Sequence, residues 1–189
     1  MWFSDCGIEK SRIIEMDWWE AKDITVNVNS GSKSVISTQF VPVQHWSKRF
    51  LNDDQATLWG GFVVSKDGFK FFFNGDTGYN QVLYEEIGNR VGPIDLAAIP
   101  IGAYEPRDIM KVQHVDPEEA FLIHKHLRCK YSFGIHYGAF MLTDEPLKEP
   151  IERITKIAKE NPDVPLFEAI EHGVTVIMNK ADKSVRQVK

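Results

Sequence analysis

The chain changes texture once, near Gly78, and that switch restricts the folds open to it. Before it, short apolar runs at 12–16, 24–28, 35–43, 57–64 and 69–73 are separated by turn residues, the pattern of successive strands. Lys66-Asp67-Gly68, between the last two runs, is a hairpin signal because Asp-Gly supplies the positive φ angles such turns need. After the switch, helical periodicity over 81–90 gives way to an apolar strand at 95–99, a helix reaching about 128, a strand at 131–135, a helix at 147–160 and a strand at 174–178. The second helix starts at Asp116-Pro117-Glu118-Glu119, where Asp116 can accept from a free amide, Pro117 needs no donor, and two glutamates oppose the positive dipole end. Strands followed by alternating helix and strand predict a layered α/β domain.

With 189 residues, 43% of them hydrophobic, there is material for one core, expected over 1–179 with a polar, frayed tail at 180–189. Asn29 to Ser34 reads as a flexible hairpin loop rather than a linker. The formal charge of −5 and the absence of any Lys/Arg block longer than two exclude a nucleic-acid footprint. Cys6 and Cys129 are neither a disulfide framework nor a Cys-rich metal site, and as reduced thiols they fit a cytoplasmic chain. The opening residues show no basic leader with an apolar core, and no window approaches the roughly 18 apolar residues a membrane span needs.

Three metal-capable side chains sit where an apolar strand runs into a loop: His45, Asp76 and His136. Each alone has a plain reading. His45 and His136 can be half-buried strand-edge histidines, and Asp76, between Gly75 and Gly78, can be a turn cap. Together they shift the balance, because ligands of α/β sheets gather at the carboxyl ends of strands. One carboxylate with two imidazoles suits zinc, and Asp76 is the candidate to bridge two cations. His114, just before the capped helix, can donate to a phosphate or carbonyl, or be an ordinary loop histidine. His124 and His126, the sole His-x-His pair, lie two apart on a helix and read as structural. His172 reads as a cation near a helix C-terminus. The aromatic central segment, including Trp46, Trp59 and Phe71 to Phe73, is mainly core, with some rings able to line an acyl-chain cavity.

Gln44-His45-Trp46-Ser47-Lys48-Arg49, Phe72-Phe73-Asn74-Gly75-Asp76-Thr77-Gly78-Tyr79, the block 95–107, Gln113-His114-Val115-Asp116-Pro117-Glu118-Glu119 and Ile135-His136-Tyr137-Gly138 closely resemble the N-acylphosphatidylethanolamine-hydrolysing phospholipase D family of animals. The resemblance runs from about Trp2 to Gly173. It implies the metallo-β-lactamase fold, an αβ/βα sandwich, and release of N-acylethanolamine and phosphatidic acid from N-acyl phosphatidylethanolamine at a two-zinc centre. It further implies that His45 binds the first zinc, Asp76 bridges both and serves catalysis, His136 binds the second, and Gln113 and His114 approach the substrate head group. The implied setting is a phospholipid surface, with the protein cytoplasmic and peripheral on intracellular membranes.

The family's His-x-His-x-Asp-His motif, which supplies further ligands to each zinc, has no counterpart here. Each zinc is therefore expected to keep one terminal ligand plus the shared carboxylate, fewer than the three protein ligands usual in catalytic sites. The first half of the sandwich is expected to be missing, leaving an apolar sheet face exposed and favouring self-association, most simply as a homodimer. On this reading the 189-residue chain alone is inactive and binds lipid or a full-length partner.

Overall fold

The computed structural model describes residues 2–28, 31–179, 181–182 and 184–188. A short helix α1 (Trp2–Asp5) and a 3-10 turn at Lys10–Arg12 precede one sheet of seven strands in sequence order: β1 (Ala21–Asn27), β2 (Lys33–Val41), β3 (Gly61–Lys66), β4 (Phe69–Phe73), β5 (Leu96–Pro100), β6 (Tyr131–Ile135) and β7 (Phe167–Glu168). Strands β1 to β4 pair antiparallel, and β4 to β7 pair parallel. The β3–β4 turn has φ of 50° at Asp67 and 80° at Gly68, the two positive angles expected of an Asp-Gly hairpin. Parallel strands need crossovers, and α2 (Gln81–Val91), α3 (Arg107–Met110) with α4 (Pro117–His126), and α5 (Glu149–Glu160) lie within them. Asn80 caps α2 by accepting from the Leu83 amide at 3.1 Å, and Asp116 and Glu119 form a capping box on α4.

Alternation along the strands divides the sheet. Val63, Phe72, Ala97 and Ile99 point to the face that meets Tyr84, Ile87, Ala120, Ile123 and Ile154 of the helices, and these residues form one buried cluster. On the opposite face Phe62 and Phe73 sit directly across from each other and stay 38% and 44% exposed. Among the described residues no helix is long and apolar enough to cross a membrane.

Several elements differ from expectation. Residues 13–16 join no ladder; Ile13, Ile14 and Met16 instead line a groove with Phe40 and Phe62 over the open side of the sheet. Strand β2 stops at Val41 because Pro42 has no amide to donate. Within the stretch expected as a frayed tail, Val185–Val188 forms β9 and pairs antiparallel with β8 (Thr175–Met178). Of the 29–34 loop, Asn29 and Ser30 lie outside the described residues, as do Lys180, Lys183 and Lys189 of the tail.

His124 illustrates why a helix histidine can be structural. Its ring stacks between Phe121 and Phe167, at 5.8 and 5.7 Å, and its Nδ1 lies 2.8 Å from the Ser132 hydroxyl. Burial pushes its pKa down to about 4, against a partial upward pull from the Pro165 carbonyl. Unfolded, the imidazole titrates near its ordinary 6.5, so between pH 6.5 and 4 the unfolded chain takes a proton that the folded chain refuses. His124 therefore weakens the fold as pH falls through that window, by up to about 3 kcal/mol. Urea unfolding at pH 7.5, 6 and 5 should show a steeper acid loss for the wild type than for His124→Leu; parallel curves would rule this out.

Candidate metal centre

The carboxyl ends of β2, β4, β5 and β6 release four segments onto one rim of the sheet, and hydrogen bonds join them. Gln44 is bridged to Gly78: the Gly78 amide donates to the Gln44 carbonyl at 2.7 Å, and the Gln44 amide donates to the Thr77 hydroxyl at 3.1 Å. The Gln44 side chain then donates to the Val112 carbonyl at 3.0 Å, and Trp46 Nε1 donates to Gln113 Oε1 at 2.6 Å. No side chain fits at Gly78, where a Cβ would stand 2.6 Å from Gln44 Nε2 and 2.7 Å from the Val112 oxygen. Below this latch, Asn74 and Thr77 are fully buried and satisfied by the Tyr84 hydroxyl, which lies 2.9 Å from Asn74 Oδ1 and 3.0 Å from Thr77 Oγ1. The turn that presents Asp76 is thus held from beneath.

Above the latch, four titratable side chains meet. The His114 ring lies 5.5 Å from that of His45 and 5.3 Å from that of His136, and His136 Nε2 stands 3.6 Å from Asp76 Oδ1. His45 Nδ1 donates to the Trp46 carbonyl at 2.9 Å, and His136 Nδ1 donates to the Gly102 carbonyl at 3.3 Å. Each ring is thereby held through Nδ1. His45 Nε2 is buried with no hydrogen-bond partner, and so is His114 Nδ1. Burial pushes the His114 pKa down to about 4; the Asp76 carboxylate opposes this, while His136 and His45 push it further down. His114 is therefore a neutral imidazole at neutral pH.

This arrangement brings together His45, Asp76, His114 and His136, and places Gln113 beside them with its amide oxygen engaged by Trp46. A buried imidazole nitrogen without a partner, with the opposite ring nitrogen bonded to a backbone carbonyl, suits a zinc-binding histidine, and His45 meets both conditions, so it fits part of a zinc shell. Among the described residues, no three His, Cys, Asp or Glu side chains are grouped so as to hold a metal ion by themselves. His172 is not at a helix end: it lies in a turn before β8, with its ring 5.6 Å from that of Tyr137. Sequence reading does not find Arg107, which donates to the His114 carbonyl at 2.9 Å, or Glu145, which accepts from the Ala103 amide at 2.6 Å. Arg107 closes the 95–107 block without a role assigned to it there, and no local pattern marks Glu145.

Fold and sequence agree on the class. A family model for the beta-lactamase superfamily domain matches residues 2–137. The chain belongs to that superfamily and has the metallo-β-lactamase fold. It is 36% identical over 176 residues to N-acyl-phosphatidylethanolamine-hydrolyzing phospholipase D 1 of Caenorhabditis elegans, covering 86% of this chain and 48% of that one. It is 33% identical over 149 residues to the mitochondrial N-acyl-phosphatidylethanolamine-hydrolyzing phospholipase D of Saccharomyces cerevisiae, covering 78% of this chain and 31% of that one. The chain thus spans less than half the length of either relative. Igni18, a metallo hydrolase from Ignicoccus hospitalis, superposes with a TM-score of 0.57 at 18% identity, over 99% of this chain and 65% of that one, and so shares the fold.

The latch at Gly78 is directly testable. A Gly78→Ala substitution forces the new methyl against the Gln44 side-chain amide and the Val112 main chain, and should destabilise the fold by about 1–3 kcal/mol in urea unfolding. An unchanged midpoint would mean that the Gln44–Gly78 bridge does not set the rim.

Proposed function

We propose that this chain carries the later half of a zinc phosphodiesterase site of the phospholipase D type, which releases N-acylethanolamine and phosphatidic acid from N-acyl phosphatidylethanolamine. The observation that carries this reading is the convergence of His45, Asp76 and His136 from three strand exits, with both imidazoles bonded through Nδ1 to backbone carbonyls and His136 Nε2 facing Asp76 Oδ1 at 3.6 Å. Identity to two proteins whose names state that activity supports it.

In this reading His45, His136 and Asp76 would hold the zinc, with Asp76 serving as the shared carboxylate. Bound zinc supplies Lewis-acid polarisation of a phosphoryl oxygen and lowers the pKa of water. The chain's own residues bind and orient. Neutral His114 can donate one hydrogen bond to a phosphate oxygen, and Gln113 fixes the adjoining loop through Trp46. Beside His136 opens a cavity of about 300 Å³ walled by Phe140, Met141, Leu142 and Leu147, of which Phe140 and Met141 are 67% and 68% exposed. An apolar wall of that kind suits an acyl chain entering from a lipid surface.

A second reading rests on ligand number. Catalytic zinc has three protein ligands as a rule, whereas here each metal would have one imidazole and a shared carboxylate. The chain by itself would then bind lipid, or a full-length partner, without turnover. Zinc content measured by elemental analysis, together with mass-spectrometric detection of N-acylethanolamine, separates the two. The enzymatic reading expects bound zinc and cleavage, both abolished in Asp76→Asn. Cleavage that survives Asp76→Asn, His45→Ala and His136→Ala would sink it, while substoichiometric zinc, no cleavage and retained capture of N-acyl phosphatidylethanolamine vesicles would favour the second.

A further inference from the structure

Glu145 has a buried carboxylate, 9% exposed, in the loop between β6 and α5, and no role in binding or chemistry follows from its type or its neighbours in sequence. Its partners lie across the rim. Oε1 accepts from the Ala103 amide at 2.6 Å, and Oε2 accepts from the Glu105 amide at 3.1 Å and the Thr143 hydroxyl at 2.5 Å. Burial raises its pKa, but the hydrogen bonds from Thr143 and from backbone amides, Glu105 and Ala103 among them, outweigh burial, and the net direction is down. The ionised form is the one the pocket fits.

Two of the backbone angles at this point are costly. Ala103 has φ of 65° and His136 has φ of 61°, both in the left-handed region that side chains other than glycine avoid. Such conformations persist only where the surroundings over-determine them. Between the two lies Gly102, whose carbonyl accepts from His136 Nδ1 at 3.3 Å and whose Cα is so close to the His136 backbone that a Cβ would stand 2.2 Å from its oxygen. The direction of the Gly102 carbonyl is therefore fixed on one side by the contact with His136 and on the other by the left-handed turn at Ala103. The hydrogen bond that locks that turn ends on Glu145.

We infer that Glu145 is a positioning residue: by clamping the Ala103 and Glu105 amides it aims the Gly102 carbonyl, which in turn sets the tautomer and orientation of the His136 ring. A carboxylate is required because both amides need acceptors. Glutamine offers one oxygen and turns an N–H toward an N–H at the other. Glu145 also lines the cavity beside His136, so the same clamp fixes how the Phe140 to Leu142 wall stands relative to that ring.

The decisive measurement is the ring-nitrogen NMR spectrum of His136 in the full chain without metal, which reports its tautomer directly. Wild type should show the proton on Nδ1, and Glu145→Gln should lose that preference. Ile123→Val, which trims the helical core, should leave the tautomer as it is. A Glu145→Gln protein that still folds cooperatively and keeps the wild-type tautomer overturns the inference, as does an equal loss in Ile123→Val. A second arm rests on the reading of His136 as a zinc ligand: Glu145→Gln should bind zinc about ten- to a hundredfold more weakly, the range found when partners behind a ligand are removed. Should wild type bind no zinc while the tautomer still responds to Glu145→Gln, the zinc reading fails and the positioning role stands.

Discussion

Parallel pairing of β4, β5 and β6 is the constraint from which the rest of this molecule follows. Phe71 to Phe73 register with Leu96 to Ala98, and those with Tyr131 to Phe133, so consecutive strands run the same way and finish on the same side. Each return must cross the sheet, and the helices that do so bury Tyr84, Ile87, Ala120 and Ile123 against one face. The price is that every strand exit opens onto one rim, and polar side chains just beyond an apolar strand end have nowhere else to go. Asp76, His136 and the loop leading to His114 are neighbours because of strand direction, not because of any closeness in sequence. His45 joins them through the antiparallel strand β2, whose own carboxyl end reaches the same rim and is caught by the bridge to Gly78.

Polar burial, rather than apolar packing, gives this rim its shape. Asn74 and Thr77 are wholly buried, and an unpaired group there would cost on the order of 1–3 kcal/mol. Tyr84 answers both from the first turns of α2, and burial raises its phenol pKa so that it stays a hydroxyl. One residue of the helix packed beneath the sheet is thereby coupled to the turn that carries Asp76. A fully satisfied network of this kind specifies one loop conformation, whereas an apolar contact of similar size would allow several.

Much of this was legible in the sequence, and the reasons are local. Strands β4 and β6 end where the apolar run meets Asn74 and His136, and the cap before α4 is complete within four residues, Asp116 to Glu119. His45, Asp76, His114 and His136 were readable for the same reason, each being the polar residue at a strand exit or just before a capped helix. What stayed hidden depends on distance along the chain. Glu145 acts on Ala103 from 42 positions away, and no periodicity connects them. The two-residue strand β7 is too short to show alternation, and residues 13–16 carry strand-like residues that in fact lie over the open sheet face. His172 was misplaced because a helix was expected where the chain turns into β8.

The orientation of both candidate ligand rings is entrusted to main-chain carbonyls, Trp46 for His45 and Gly102 for His136. This has a consequence that side-chain partners would not. A carboxylate behind an imidazole would raise its basicity and could itself titrate, whereas a peptide carbonyl fixes the tautomer without adding charge to a rim that already holds Asp76. A carbonyl, however, is only as well aimed as its backbone. That shifts the requirement for precision from side chains that touch the site to the dihedral angles of the loops behind it. The left-handed residues Ala103 and His136 are where those angles are least tolerant. Residues that hold these loops therefore bear on the candidate site as much as the imidazoles do.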